Sequence, residues 1–385
     1  MGNPVKASFG ILLLLACGSI AQAQHYEFTD LGTLPGAMSS IAVALNSRGE
    51  VVGSSSGQAF LWTESKAIQG LGFGPTPGTV ASSANGINRR GDIVIDFESV
   101  PPTGEQDEAF ILTKSGLQDL GNLGCVHLGI TPSGINSSSE VVGTVYIPPC
   151  GGGGQARAYI YHDGIIDDLG TLSGPNANPL VAFSIGSAIN TRGHVVGYSS
   201  TPLSTNTNVV FDGFLWTKDE GMLDLGTLPG WANYSYALGI NSRDDVVGAS
   251  AGSGFPQGYI WDKRTGMKGI GFLPGGQSSA ALGINDRNEV VGISQYANSY
   301  SSGQHAFIWT AERGMQDLND LIPSDSKFVL VEALAINDRG QIVGWGWSAN
   351  LPQYQQMHGF LLTPSHHDDD SDGREEAEDS GELSN

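Results

Sequence analysis

Long apolar runs and cationic residues are scarce in this sequence. The first scarcity argues against a membrane-spanning helix, and the second argues against a nucleic-acid partner. After the apolar stretch from Phe9 to Cys17, no segment approaches the roughly 20 apolar residues that a membrane-spanning helix needs. The chain has 39 Asp and Glu residues against 18 Lys and Arg residues, which gives a net charge of −21. Because a surface of this charge repels phosphate backbones, nucleic acid is not an expected partner.

The N-terminus predicts export. A lysine-bearing start precedes the short apolar run, and Ala21-Gln22-Ala23 has the small-x-small pattern of a signal-peptidase site. We therefore expect residues 1–23 to be a signal peptide that is removed before Gln24, which leaves a secreted or periplasmic protein. The alternative is a lipid anchor at Cys17, because the residues before it loosely resemble a bacterial lipobox.

Cysteine is scarce as well, and the mature chain keeps only Cys125 and Cys150. These two residues lie symmetrically about a predicted hairpin turn at 136–139. Because residues equidistant from such a turn face each other, we expect a disulfide between them in an oxidising compartment. Two unpaired loop cysteines are the alternative.

The C-terminal segment 365–385 has almost no apolar residues and carries nine acids against one Arg. Such a composition cannot bury enough surface to fold, so the segment is predicted to be a disordered acidic tail. Part of it matches the start of a calcium loop, D-x-D-x-D-G, through Asp368, Asp370, Asp372 and Asp379. Weak calcium binding is therefore an alternative, and no other cofactor or metal is expected.

Helical periodicity is nearly absent, whereas 55 Gly residues separate apolar runs of four to six residues. This pattern is typical of an all-β domain. The phrase Gly-Ile-Asn-x-x-Gly-x-Val-Val-Gly recurs seven times, with spacings of 42 to 54 residues between its asparagines, which are Asn46, Asn88, Asn136, Asn190, Asn241, Asn285 and Asn337. Each repeat contains four strand-like phrases, so residues 24–364 are predicted to form a seven-bladed β-propeller.

The recurrent asparagine is interpreted as a turn residue rather than a ligand-binding one. Its side chain can accept bonds from backbone N–H groups further along a type I turn. The fourth turn position needs a left-handed backbone, and only Ser139 departs from the Gly, Asn or Asp found there in the other repeats. A second hairpin is predicted between the third and fourth strands. A Gly recurs at this turn in the second to sixth repeats, and the first repeat lacks it. Aromatic residues near the end of the third strand, Trp62, Tyr161, Trp216, Trp261 and Trp309, are expected to pack between blades.

The two ends of the domain complement each other. The segment 25–32 reads as a fourth strand without partners, and 357–363 reads as a third strand without a fourth. We therefore expect the N-terminal strand to close the propeller by pairing with the last three strands, which removes exposed sheet edges.

The phrase HAFIWT at 305–310, together with the recurrent Leu-Pro-Gly and Gly-Ile-Asn phrases, resembles the HAF-repeat family of bacterial extracellular proteins. The resemblance covers nearly all of residues 26–363, and it implies export and a repeated β domain without an established reaction or ligand. The literal His-Ala-Phe triplet occurs once, so a role that needs His305 in every blade is not expected.

The links between the second and third strands vary widely in length, for example 54–58, 144–157 and 199–212. Because loops on a rigid scaffold are where binding sites occur, the face that carries these links and the channel mouth beneath it are the expected partner-binding surface. No catalytic residues are predicted, since the histidines His25, His127, His162, His194, His305 and His358 lack metal-ligand spacing and no catalytic triad, phosphate loop or dinucleotide motif occurs.

Two functions remain from the sequence. The first is a monomeric, non-enzymatic binding or surface-interaction protein whose partner is a protein or a glycan. The second is a propeller hydrolase or lyase that acts on an extracellular glycan, which requires two or more acids and a His or Arg to converge on the central channel.

Overall fold

The structure, a computed structural model, describes residues 25–75, 78–99, 106–121, 123, 129–147, 155–175, 178, 180–230, 234–252, 254–296, 303–352 and 357–365. The predicted signal peptide, Cys17, both cysteines of the predicted disulfide, the acids of the candidate calcium loop and the residues after Ser365 lie outside these ranges. Within them the protein is an all-β propeller, and one short 3-10 helix occurs at Leu318–Asp320. No helix in these ranges has the length and apolar character of a membrane span.

Every repeat contributes strands in the same order. The first strands are β2 (Ile41–Leu45), β6 (Thr79–Ile87), β10 (Ile130–Ile135), β14 (Ser184–Ile189), β18 (Tyr234–Ile240), β22 (Gly276–Ile284) and β26 (Phe328–Ile336). The second strands are β3 (Val51–Ser55), β7 (Ile93–Ser99), β11 (Val141–Ile147), β15 (Val195–Ser200), β19 (Val246–Ala251), β23 (Val290–Tyr296) and β27 (Ile342–Ser348).

The third and fourth strands complete each repeat. The third strands are β4 (Gln58–Thr63), β8 (Gln106–Thr113), β12 (Gln155–His162), β16 (Phe211–Thr217), β20 (Gln257–Asp262), β24 (Gln304–Thr310) and β28 (Met357–Pro364). The fourth strands are β5 (Ala67–Gly70), β9 (Gly116–Asp119), β13 (Ile165–Asp168), β17 (Gly221–Asp224), β21 (Gly266–Gly271), β25 (Gly314–Asp317) and, from the N-terminus, β1 (Tyr26–Gly32).

The division into sheets differs from the prediction of seven separate blades. The structure has five separate four-stranded sheets and one eight-stranded sheet, which contains the strands of the fourth and fifth repeats. The cause is a single parallel pair, Phe211 with Tyr234, that joins β16 to β18. Among the described strands, no strand pairing connects the remaining sheets to one another, so they meet through side chains and loops.

The N-terminal strand lies in the sheet of the last repeat. β1 pairs antiparallel with β28, with Tyr26 opposite Pro364 and Phe28 opposite Leu362. The sheet order is β1-β28-β27-β26. The first strands of adjacent repeats contact one another, and β26 contacts β2.

The hydrophobic core lies between adjacent repeats, and the Val-Val-Gly phrase explains why. Successive strand residues point to opposite faces, so Val51 packs with Val343 of the last repeat. Its neighbour Val52 packs with Ala84 and Ile93 of the second repeat. The Gly that follows lies against the first strand, since a Cβ on Gly53 would be 1.9 Å from the Ile41 carbonyl oxygen.

The predicted aromatic positions pack between repeats, as expected. Trp62 is buried with Val343 and Leu361 of the last repeat, and Trp261 is buried with Val196 and Leu215 of the fourth. Tyr161 contacts the core of the second repeat, and Trp216 and Trp309 pack against the repeats before theirs.

A serine six residues before the turn asparagine also joins repeats, and the sequence analysis missed it. Ser82, for example, accepts a bond from Ala59 N at 2.9 Å and donates to Gly72 O at 3.0 Å. Five repeats have this serine: Ser40, Ser82, Ser184, Ser235 and Ser279.

Candidate functional site

The predicted asparagine turns form in all seven repeats, and they define one face of the propeller, the turn face. Each Asn Oδ1 accepts bonds from the backbone N–H groups two and four residues later, at 2.9 to 3.2 Å. The fourth turn residue has positive φ in every repeat, including Ser139 at 63°. In the second hairpin of the first repeat, Ala67 takes the left-handed position that Gly holds elsewhere, with φ of 53°.

The same asparagines also connect neighbouring repeats. Each Nδ2 donates to the backbone carbonyl of the next repeat's turn asparagine at 3.0 to 3.3 Å, and Asn337 donates to Asn46. The seven bonds therefore form a complete cycle around the turn-face mouth of the channel. The sequence contained a signal for these bonds between repeats. The turn itself needs only a side-chain acceptor, which Asp could also supply, yet all seven positions are Asn, whose amide is a donor as well.

In five repeats the asparagine Nδ2 also donates to a carboxylate four residues later. Two repeats have a different residue at that position. Gln341 takes that place in the last repeat, at 2.9 Å from Asn337. His194 takes it in the fourth, where Asp244 of the next repeat accepts from Asn190 at 2.8 Å and from His194 Nδ1 at 2.9 Å. A cavity of about 280 Å³ adjoins this cluster between the fourth and fifth repeats.

The opposite face is formed by the links between second and third strands and by the crossovers between repeats; we call it the variable-loop face. Met38 N in the first crossover donates to Ser56 Oγ in the first link at 2.9 Å. The structure shortens the predicted links, because Ser199, Ser200, Phe211 and Asp212 belong to strands and 201–210 alone connects them. Likewise the first link is only Ser56–Gly57, both with positive φ.

Most of the exposed apolar residues lie on the variable-loop face. Among the described large apolar residues, twelve are substantially exposed, and nine of these are on this face: Met38, Phe73, Val80, Leu180, Leu203, Val209, Phe255, Val329 and Trp347. Leu180 and Leu203 are 81% and 73% exposed. The other three, Leu117, Ile165 and Leu223, lie on the short fourth strands at the outer rim.

The central channel is lined by the first strands. The residues directly before the turn asparagines are branched aliphatic in every repeat, and they separate the turn-face mouth from a space of about 590 Å³ on the other side. Three residues before the asparagine, one arc is aliphatic (Val43, Leu238, Leu282, Leu334) and the other is polar (Asn85, Ser133, Ser187). None of the described residues lining this space is charged. Among the channel residues that the structure describes, acids and arginines occur only at the turn-face mouth, as Asp286, Asp338, Arg89 and Arg339.

Five half-buried aromatic residues cluster on the variable-loop side of the fourth and fifth repeats: Phe183, Tyr198, Phe211, Tyr234 and Tyr236. Phe211 and Tyr234 are stacked with ring centroids 5.1 Å apart, and Tyr198 and Tyr236 are edge to face at 4.8 Å. Tyr198 lines the channel. Burial raises the pKa of Tyr198 above the ordinary value for tyrosine. Since Phe183 and Phe211 lie more than 20 residues from Tyr234 and Tyr236, sequence analysis did not bring these rings together.

The histidines of the recurrent aromatic triplet pair with aspartates of the fourth strand. His305 Nδ1 lies 2.5 Å from Asp317 Oδ2, and His358 Nδ1 lies 2.8 Å from Asp30 Oδ1. The bond to Asp317 raises the pKa of His305. Burial would raise the pKa of Asp317, but bonds from His305 and Asn319 outweigh burial and lower it. No group of three or more potential metal ligands occurs within the described ranges.

Two carboxyl groups are strongly perturbed, and neither was predicted. Burial, with repulsion from Asp107 and Glu98, raises the pKa of Asp96 to about 7. Burial, with repulsion from Asp224, raises the pKa of Asp212 to about 6. The two residues belong to the second and fourth repeats, and neither lines the channel.

Solved structures with a similar fold include enzymes. They include streptogramin B lyase, with 12% identity and a TM-score of 0.48 over 88% of this chain and 98% of that one. The extracellular domain of a one-component system from B. thetaiotaomicron has 8% identity and a TM-score of 0.47 over 87% of this chain and 39% of that one. Porphyromonas gingivalis dipeptidyl peptidase 4 has 9% identity and a TM-score of 0.43 over 79% and 50%. Likenesses this distant assign no activity to this chain.

Comparison by sequence shows that the expected resemblance to the HAF-repeat family is wrong. No curated protein matches the chain. The family model that matches, over residues 173–379, is described as "Protein of unknown function (DUF3466)", and nothing supports membership of the HAF-repeat family. Because the match covers more than half of the 385 residues, the chain belongs to the family described as Protein of unknown function (DUF3466).

Proposed function

We propose that the protein is an exported, monomeric, non-enzymatic β-propeller that binds a protein partner through its variable-loop face. The observation that carries the proposal is the distribution of exposed apolar side chains, nine of twelve on this face among the described residues. Exposed apolar surface that gathers on one side of a protein marks interaction sites, whereas scattered single residues need no explanation.

The proposal includes a closed ring of seven four-stranded blades, in which the fourth and fifth blades share one pair of bridging residues. Support comes from the cycle of asparagine bonds, which includes Asn337 to Asn46, and from the pairing of β1 with β28. A rigid ring would hold the loops of all repeats in one surface, which is how propellers and other scaffolds present binding loops.

The alternative, hydrolysis or elimination on an extracellular glycan, receives less support. It requires acids with a His or Arg converging on the channel, but the described lining on the variable-loop side is uncharged. At the turn-face mouth, Asp286 Oδ1 accepts from Ser242 N and Asp338 Oδ1 accepts from Asp286 N, both within 2.9 Å. These two acids are therefore explained by the turns that they hold.

The test compares two matched pairs of substitutions at exposed apolar residues. Leu203→Ser with Val209→Ser changes the variable-loop face, and Ile165→Ser with Leu223→Ser changes the outer rim by the same chemistry. The protein is immobilised through the C-terminus, because β28 ends at Pro364 on the turn face, where Gln341 Nε2 donates to Thr363 Oγ1 at 3.3 Å. The immobilised protein is then exposed to the extracellular proteins of the producing culture.

We expect the first pair to abolish capture of any specific partner and the second to leave it unchanged, with the same melting temperature for both variants. Equal capture by both variants would remove the variable-loop face as the binding surface. Equal loss of capture in both variants would show that capture reflects non-specific hydrophobic adsorption to exposed apolar groups rather than a binding site.

A further inference from the structure

The aromatic cluster of Phe183, Tyr198, Phe211, Tyr234 and Tyr236 is not a requirement of the repeat. The position of Tyr236 is Ser83 in the second repeat, Thr131 in the third and Ala280 in the sixth. The position of Tyr198 is likewise Thr144 in the third repeat and Ala249 in the fifth. Since those repeats fold with the same strands and without aromatic rings there, blade packing does not explain the cluster.

A second pair of aromatic rings occupies the last repeat. Trp345 holds the position that Tyr198 holds in the fourth repeat, and it lies edge to face with Trp347 at 5.6 Å. Trp345 Nε1 donates to Glu332 Oε2 at 2.8 Å, which fixes the indole. Trp347 is 40% exposed. Aromatic surface is thus present in the fourth, fifth and last repeats.

The channel below the cluster has two unlike walls. The polar arc offers the hydroxyls of Ser133 and Ser187, which make no hydrogen bond to other described residues. The Asn85 amide beside them is held in place, because its Nδ2 donates to Pro132 O and its Oδ1 accepts from Ser83 Oγ, both at 2.9 Å. The aliphatic arc opposite offers Leu238, Leu282 and Leu334. A neutral ligand with an apolar face and a polar edge fits such a space, and the volume of about 590 Å³ lies within the range of small-molecule sites.

We infer that the variable-loop mouth of the channel binds a neutral carbohydrate, whose C–H face lies on the ring of Tyr198, the member of the cluster that lines this space, and whose hydroxyls bond to Ser133 and Ser187. A pyranose has both properties: one face of C–H groups that packs on aromatic rings, and hydroxyl groups around its edge. The uncharged lining disfavours anionic and cationic ligands, because nothing there would replace the water around a charge. This site is separate from the exposed loop surface of the proposed function.

The inference is tested on the mature protein with a panel of neutral oligosaccharides of glucose, mannose, galactose and N-acetylglucosamine, and with uronic-acid oligosaccharides as charged probes. Affinity is measured by calorimetry. The main variant is Ser133→Ala with Ser187→Ala, which removes two hydroxyls and leaves the fold intact. Ser47→Ala with Ser137→Ala at the turn-face mouth is the matched control, and Tyr198→Ala tests the aromatic surface.

A neutral oligosaccharide should bind, and affinity should fall at least about tenfold in the two-serine variant, because bound hydroxyls would lose their partners. Tyr198→Ala should weaken binding as well, and the turn-face control should not. Three results would overturn the inference: no neutral sugar binds, binding persists in both site variants, or the charged sugars bind better. If Leu203→Ser with Val209→Ser abolished protein capture but not sugar binding, the partner-binding loop face and the sugar site in the channel would be shown to be separate sites.

Discussion

At the scale of single residues, the turn asparagine is the most informative position in the molecule. It is 3 to 9% exposed in all seven repeats, and its amide makes bonds within the turn and to the next repeat. Removing a buried partner of this kind leaves unsatisfied groups that cost about 1–3 kcal/mol each. The asparagine therefore contributes both to the local turn and to the contact between neighbouring repeats.

The two amide roles can be separated with Asn→Asp substitutions, which keep the acceptor and remove the donor. In Asn285→Asp, the new carboxyl faces Glu289, whose Oε2 lies 2.6 Å from Nδ2 in the native protein. In Asn337→Asp it faces Gln341, whose amide can turn to donate instead. We expect urea denaturation at pH 7.5 to show a larger loss of unfolding free energy for Asn285→Asp.

The pH dependence of that difference follows from the charges. Burial beside Glu289 raises the folded-state pKa of the introduced carboxyl, so the destabilisation is complete above that pKa and shrinks as the pH falls through it. The two variants should converge in stability on acidification. Equal losses at pH 7.5 would mean that repulsion from Glu289 adds nothing, and no loss in either variant would mean that the donor has no energetic role.

His305 and Asp317 should make stability depend on pH. The bond to Asp317 raises the pKa of His305, so the stabilisation is complete below the unfolded value of about 6.5 and is lost as pH rises through the folded value. The pKa of Asp317 is lowered, so its contribution is present above about 3.9 and is lost as pH falls through the folded value.

Wild type should therefore exceed His305→Gln in unfolding free energy by more at pH 5.5 than at pH 8.5. The measurement is chemical denaturation at both pH values, with the exposed His25→Gln as the control. An identical difference at the two pH values would contradict the pairing.

At the scale of strands and hairpins, the two cysteines give the clearest prediction. Ile130 pairs with Val145 in the β10–β11 hairpin, Cys125 stands five residues before Ile130, and Cys150 stands five after Val145. If the register of this hairpin continued for five more residues, the two cysteines would face each other. Both cysteines lie outside the described residues. We propose that they form a disulfide worth about 3 kcal/mol in the chain-entropy account.

The disulfide is checked by alkylating the unfolded but unreduced mature protein and measuring its mass. We expect no added alkyl groups before reduction and two after it. Two groups added without reduction would show that both thiols are free.

At the scale of the whole molecule, β1 is the element that joins the two ends of the chain. Tyr26 and Leu31 are buried, and the Phe28 ring lies 4.8 Å from Phe328. Deleting residues 26–32 removes this apolar surface, at about 1.5–3 kcal/mol for each buried large side chain, and leaves β28 as an open edge.

We expect that deletion to cause aggregation or a large drop in melting temperature, measured by light scattering during a thermal scan. Truncation after Ser365 is the control and should change the melting temperature little. A deletion variant that remains monomeric with an unchanged melting temperature would rule out the closed ring and favour an open array of repeats.

The sequence by itself determined the features that local chemistry specifies. The strand phrases, both hairpin turns and the β1 segment were predictable, because alternation and turn residues act over a few neighbouring positions. The left-handed residue of each turn was predicted as well, and Ser139 adopts it despite its side chain.

Only the tertiary structure decided what neighbouring repeats do to each other. Six of the asparagine bonds join residues 42 to 54 positions apart and the seventh joins Asn337 to Asn46, while the backbone pairing of Phe211 with Tyr234 brings two repeats into one sheet. The apolar loop face and the two walls of the channel likewise combine single residues from separate repeats. Such contacts depend on how the repeats are arranged around the axis, and no short-range pattern in the sequence encodes that arrangement.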